Sequence, residues 1–350
     1  MAKTFIYSIL FLIISTHSIF AQDVRFTQFM ITNNALNPAF CGAFEGNFRI
    51  RSIYKSQWTN LDIKPLSTFA LTGDIKLFLD HKNTNYLALG LHFLTDKAGS
   101  IDVTSNTADI QVSYHKIYNT KHRNSFSGGI SLGILQKSLN YDRFVFGDQF
   151  DGLNHYNLPT SELLPPNVKA IPDLKLGLQL ESRLNKKWRV QTGLAAGYLI
   201  SSQTSFYSGF DEIDYTGSKD FKTPALIHLI SNFTYQKDKQ QQIYPRLHFS
   251  SQGTHQLAVL GTNYRRAFYS LNQTAFHLGA TMRVSKNETA YFPIDLGVMT
   301  GFEFKNFILG LSYDFGIKDV VRYGRALHGF EISFSLLGDY DNGGFICPQF

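Results

Sequence analysis

Apolar and polar residues alternate with a period of two, in segments of about ten residues that recur along nearly the whole chain. In residues 307–318, Phe307, Leu309, Leu311, Tyr313, Phe315 and Ile317 share one face, while Ile308, Gly310, Ser312, Asp314, Gly316 and Lys318 share the other. The same division sets Leu174, Leu176, Leu178 and Leu180 against Lys175, Gly177, Gln179 and Glu181, and Phe330, Ile332, Phe334 and Leu336 against Glu331, Ser333 and Ser335. A strand of this length, tilted, crosses a bilayer, and in hydrocarbon a sheet satisfies every backbone N–H and C=O only by closing on itself. The expected fold is therefore all-β: a transmembrane antiparallel β-barrel.

About fourteen such segments can be counted (12–16 allowing for ambiguity), starting near Phe48, Thr68, Tyr86, Asp109, Ser125, Leu174, Arg189, Leu226, Ile243, Leu257, Ala275, Ala290, Phe307 and Gly329. The connections sort by parity. If the first strand runs outward, the long ones (140–170, 201–222 and 318–327) all fall outside, and the short turns around Asn83, Thr120, Asn185, Lys239 and Asn306 all fall inside, as outer-membrane barrels require. A water-soluble array of β-sandwiches shares the period but needs no such asymmetry. It would also carry more than the 17% charged residues found here, against about 25% in an average soluble domain. After the N-terminal leader no apolar run is long enough for a membrane helix.

That leader has a cation at Lys3, an apolar run over residues 5–14 and a small residue, Ala21, before Gln22. This is a signal-peptide pattern with cleavage expected between Ala21 and Gln22; a membrane anchor fits less well, since about ten apolar residues fall short of the roughly 20 that span. Four regions follow: signal peptide 1–21, a periplasmic, plug-like segment 22–45, the barrel 46–337 and a tail 338–350. The segment carries Phe26, Phe29, Phe40 and Phe44 and an Asn37-Pro38 turn, a composition able to bury surface, so packing into the barrel's inner mouth or lumen competes with a disordered terminus. Cys41 and Cys347 are the two cysteines of the chain, one near each end and both expected on the periplasmic side. They could form a disulfide in that compartment, or remain as two buried thiols. A lipid-modified cysteine would have to follow the cleavage site directly, where Gln22 stands.

Chemistry is sparse. His115, His122, His248 and His255 resemble strand-end or turn residues more than metal ligands. Asp339 opens an oxygen-rich stretch whose twelfth position is Phe350 where a calcium loop needs glutamate. Gly129, Ser131 and Gly133 match the nucleophile-elbow pattern, but inside an alternating strand, where they are expected as small lumen-facing residues. No catalytic residue, metal or cofactor is expected. The net charge of +6, with basic clusters at Lys121, Asn185 and Lys237, is placed in turns that are either simply solvated or face acidic partners, lipid headgroups or cell wall, and not nucleic acid. Charge is expected to be costly at lipid-facing Leu309 or Leu176 and well tolerated at lumen-facing Ser312 or Gln179.

Gln22-Asp23, Phe26-Thr27-Gln28-Phe29, Leu36-Asn37-Pro38-Ala39-Phe40 and Gly42 resemble the N-terminal signature of the PorP/SprF family of Bacteroidetes outer-membrane proteins. Tyr54-Lys55-Ser56-Gln57-Trp58, Pro65 with Ser67-Thr68, Glu331-Ile332-Ser333 and the closing Ile346-Cys347-Pro348 are similar to further family stretches, while Val24 and Gln349 depart from its pattern. The resemblance implies an outer-membrane, cell-surface role in type IX secretion and gliding motility, without enzymatic activity. The expected partners are secretion components or a cognate secreted adhesin, outer-membrane lipid, and a periplasmic lipoprotein or cell-wall-associated protein. Phe26, Gln28, Phe29, Asn37, Pro38, Phe40 and Phe44 are the candidate plug and partner-binding residues. A transporter of the fatty-acid-channel or porin type is the alternative.

Overall fold

The computed structural model describes residues 26–58, 64–79, 85–99, 102–119, 124–200, 206, 223–268, 274–286, 290–317 and 328–338, except the side chain of Phe78. Ala21, Gln22, His122 and the tail with Cys347 lie outside the described residues. Fourteen strands follow one another: β1 (Phe48–Gln57), β2 (Leu66–Phe78), β3 (Asn85–Ala98), β4 (Val103–Asn119), β5 (Asn124–Ser138), β6 (Val168–Arg183), β7 (Trp188–Gly197), β8 (Leu226–Gln236), β9 (Gln241–Gln252), β10 (His255–Phe268), β11 (Thr274–Lys286), β12 (Tyr291–Phe304), β13 (Phe307–Gly316) and β14 (His328–Gly338). Each pairs antiparallel with its neighbour, and β14 returns to β1 from Phe48↔Gly338 to Gln57↔Gly329, so the sheet closes and leaves no edge. Strand number and parity agree with the sequence.

The alternation maps directly onto the wall. Phe307, Leu309, Leu311, Tyr313 and Phe315 are exposed on the outside, as are Leu176, Leu178 and Leu180, whereas Ser312, Asp314, Asp173 and Gln179 are buried inside. Period-two alternation thus separates a lipid-facing apolar surface from a polar lumen. Connections after odd-numbered strands lie on one rim and those after even-numbered strands on the other. The long segments 139–167 and 198–225 share the first rim, while the turns at Asn185 and Lys239 share the second.

The connection between β5 and β6 is folded. Asn140 caps a short turn at Tyr141–Arg143, Phe144 stacks on Phe146, and Phe150 bridges to Tyr156. Asp151 accepts the backbone N–H groups of Leu153, Asn154 and His155, and Asp148 is held by Thr160 and Ser161, which keeps both carboxyls below the usual carboxylate range. Val145, Leu153, Tyr156, Leu158 and Leu163 of this loop remain exposed.

Candidate functional site

The lumen is filled. Residues 26–47 enter it at the level of Asp314 and Glu331, cross it in short helical turns and leave at the opposite rim, where the Asn47 N–H donates to the Gly338 carbonyl at 2.8 Å before β1 begins. The segment reaches much deeper than the barrel's inner mouth, because inward-facing side chains grip it at every level.

At the long-connection end a buried carboxylate holds the chain by its backbone. Glu331 accepts the N–H of Thr27 at 2.7 Å and of Gln28 at 3.1 Å, and Lys55 lies 2.9 Å from both Glu331 and Asp314. Arg283 bridges Asp314 (2.7 Å) and Asp295 (2.6 Å), and the Thr27 hydroxyl donates to Asp314. The Gln28 side chain donates to Ser312 and accepts from Ser333. All of these wall residues come from β1 and β11 to β14, so the closure of the barrel and the seating of the segment share one ion network. Desolvating these charges costs free energy, and their chief contribution is to fix a single position for the segment.

Lower down, Arg51 donates to the Met30 carbonyl (2.6 Å) and to the side-chain oxygens of Asn33 (3.0 Å) and Asn34 (2.9 Å). Phe29 and Phe40 join inward-facing Ile230, Leu257 and Val259 in an apolar cluster, and Phe26 joins Ile31, Ile53 and Ala70 in another. Asn37 accepts the Ala39 N–H at 2.9 Å, capping a turn whose first residue is Pro38, and donates to the Leu178 carbonyl at 3.1 Å. That approach requires bare backbone in the wall. A Cβ at Gly129 would come within 2.5 Å of Ala39 N, one at Gly193 within 2.5 Å of Asn37 Nδ2, and one at Gly177 would collide with Asn37 Oδ1. Gly177→Val is therefore expected to displace the Asn37-Pro38 turn at a cost of about 1–3 kcal/mol, the usual range for overpacking. Urea unfolding beside the outward-facing Leu178→Val should show the difference, and equal costs would deny the contact.

The lowest grip surrounds residues 41–44. Gly42 has φ +77°, where a side chain is strained, and its N–H donates to Asp74, which is also bound by Arg49 at 2.6 and 2.9 Å. The Cys41 carbonyl accepts from Ser113 (2.7 Å) and His115 (2.6 Å), and its thiol is buried. Phe44 lies between the Arg49 guanidinium (4.4 Å) and the Lys76 ammonium (4.5 Å).

All seven candidate residues, Phe26, Gln28, Phe29, Asn37, Pro38, Phe40 and Phe44, thus belong to one lumenal element. Cys41 belongs to it too, while the Cys41–Cys347 pairing lies outside the described residues. Three expectations change. His115 and His248 are buried lumen-facing residues within strands, not strand-end groups, since one binds the Cys41 carbonyl and the other packs on Phe29. Basic charge is not confined to turns: Arg49, Arg51, Lys55, Arg246, Arg265 and Arg283 are buried inside. Nor are Ser312 and Gln179 open lumen positions, since both are buried, Ser312 bonding Gln28 and Gln179 bonding Ser127. As expected for lumen-facing small residues, Gly129 borders Pro38-Ala39 and Ser131 donates inside the barrel, to Asp109. No sequence motif marks Arg51, Asp74 or Asp314 as part of the site. Their signal is a charge on the inward phase of a strand whose other phase is apolar.

A family model described as type IX secretion system membrane protein PorP/SprF matches residues 18–335. No curated protein matches the chain. Among solved structures, a deltaS2 mutant of the TodX monoaromatic hydrocarbon channel is similar at TM-score 0.50 and 12% identity, covering 86% of this chain and 93% of that one. The Pseudomonas putida toluene transporter TodX gives TM-score 0.46 at 13% identity (87% and 93% covered). A Pseudomonas aeruginosa FadL homologue gives 0.47 at 9% (86% and 92% covered). At such identities the likeness concerns the fold alone.

Proposed function

The chain belongs to the PorP/SprF family of type IX secretion system membrane proteins, and from that premise we propose that it is a closed outer-membrane scaffold, not a channel, on which a secreted surface protein or a component of the secretion apparatus is held. The observation that carries this proposal is the lumenal element 26–47, gripped by wall residues from its first described turn to its last. A barrel whose lumen is occupied by its own N-terminal segment, clamped through buried charges, offers rims and loops to a partner more readily than a passage to a solute. The folded β5–β6 loop supplies a surface of suitable kind, because an exposed group of apolar side chains on an ordered loop suits protein contact.

Affinity purification from native membranes, with mass spectrometry, tests the proposal. Secretion components or one secreted surface protein should be recovered, and less of it after removal of residues 150–160. Recovery of lipid alone, together with uptake of an apolar solute that depends on the protein, would favour the transporter alternative instead. The orientation is tested separately. On intact cells, added protease is expected to cut within 140–170 or 201–222 and to spare the turns at Asn185 and Lys239. The reverse pattern would invert the barrel.

A further inference from the structure

Beside the lumenal element, towards the short-turn rim, lies a cavity lined by Arg49, Arg51, Arg189, Arg246, Glu181 and Asn232 together with Phe44 and Tyr244. Four guanidiniums face one carboxylate in that lining. Arg49 is matched by Asp74, and Arg189 lies 3.3 Å from Glu181 and 3.7 Å from Glu45. Arg51 differs, since its hydrogen bonds go to the neutral oxygens of Met30, Asn33 and Asn34, and its buried Nε–H finds no acceptor among the described residues. Arg51 thus brings to the cavity wall a buried positive charge that no salt bridge among the described residues pairs, and such a charge favours an anion beside it. Arg246 is also buried, with its guanidinium 5.6 Å from the Tyr244 ring centroid.

Asn232 narrows the chemistry. Its Nδ2 donates to Gln191 at 3.3 Å, while its Oδ1 is buried without a partner among the described residues. A group held among these guanidiniums offers them acceptor oxygens, and one that also carries an O–H can donate to the amide of Asn232, which lines the same cavity. A carboxylate supplies the first alone; a hydrogen phosphate or a phosphate monoester supplies both. We propose that this cavity is a binding site for a phosphate group, reached from the short-turn rim, where Arg189 and Glu45 are partly exposed. The inference is independent of the partner-holding role above.

Equilibrium dialysis of the purified full-length barrel at constant ionic strength, with inorganic phosphate, glycerol phosphate and acetate as probes, tests it. Inorganic phosphate or glycerol phosphate should bind saturably at one per chain, and acetate at least tenfold more weakly. The tighter of the two phosphates tells a free ion from a head group. Arg246→Gln and Asn232→Leu should each weaken phosphate binding about tenfold, while Arg266→Gln, on the outer face of β10, should leave it unchanged. Heat-modifiable gel mobility confirms that each variant is folded. No saturable phosphate binding, acetate binding as tight as phosphate, or wild-type affinity in both folded cavity variants would overturn the assignment.

Discussion

Glu331→Ala is expected to unseat the N-terminal segment and to lower stability by about 3–5 kcal/mol, the range for removing one partner of a buried ion pair. The side chain is fully buried and serves four groups at once: Lys55, the Ser312 hydroxyl and the backbone N–H groups of Thr27 and Gln28. Truncation strands three buried donors, two backbone N–H groups and the Ser312 hydroxyl, and leaves Lys55 beside Asp314, which Arg283 already shares. Adding Lys55→Met should recover only part of the loss, since the backbone donors stay unmet. Urea unfolding in lipid measures both variants, and limited proteolysis between residues 26 and 47 reports the unseating. A loss below 1 kcal/mol with the segment still protected would remove Glu331 from the account.

Leu309→Arg is expected to cost about 2–4 kcal/mol near the bilayer midplane, and Leu176→Arg a similar amount, because both project from the outer wall into hydrocarbon. Ser312 and Gln179 face inward but are packed, Ser312 against Gln28 of the segment and Gln179 against Ser127 of the wall, so a charge there meets protein and not water. Thr107 lines a cavity at the long-connection end and should accept Arg at much smaller cost than Leu309. Equal losses at Leu309 and Thr107 would contradict the assignment of lipid and lumen faces.

Strand number, phase and connection parity were legible because lipid selects an apolar side chain at every second position, a local rule repeated fourteen times. The contents of the lumen obey no local rule. Glu331 and Thr27 meet across 304 positions of sequence, and the closing register Lys55↔Glu331 brings together two residues that the family resemblance marks separately. Four phenylalanines and Asn37-Pro38 indicate that residues 26–44 bury surface, but composition carries no depth. The depth is set by Arg51, Asp74 and the wall glycines. Gly177 reads in sequence as an ordinary polar-face residue, and only the approach of Asn37 gives it, and Gly193 beside it, a purpose.

Single-channel recording in planar bilayers tests the central claim, a lumen closed by residues 26–47, most directly. The wild-type barrel should hold the baseline without porin-sized steps. Glu331→Ala, or removal of residues 27–44 where that variant still closes as a barrel, should produce discrete conductance. Stable, open-pore conductance from the wild-type protein, unchanged in Glu331→Ala, would contradict the account.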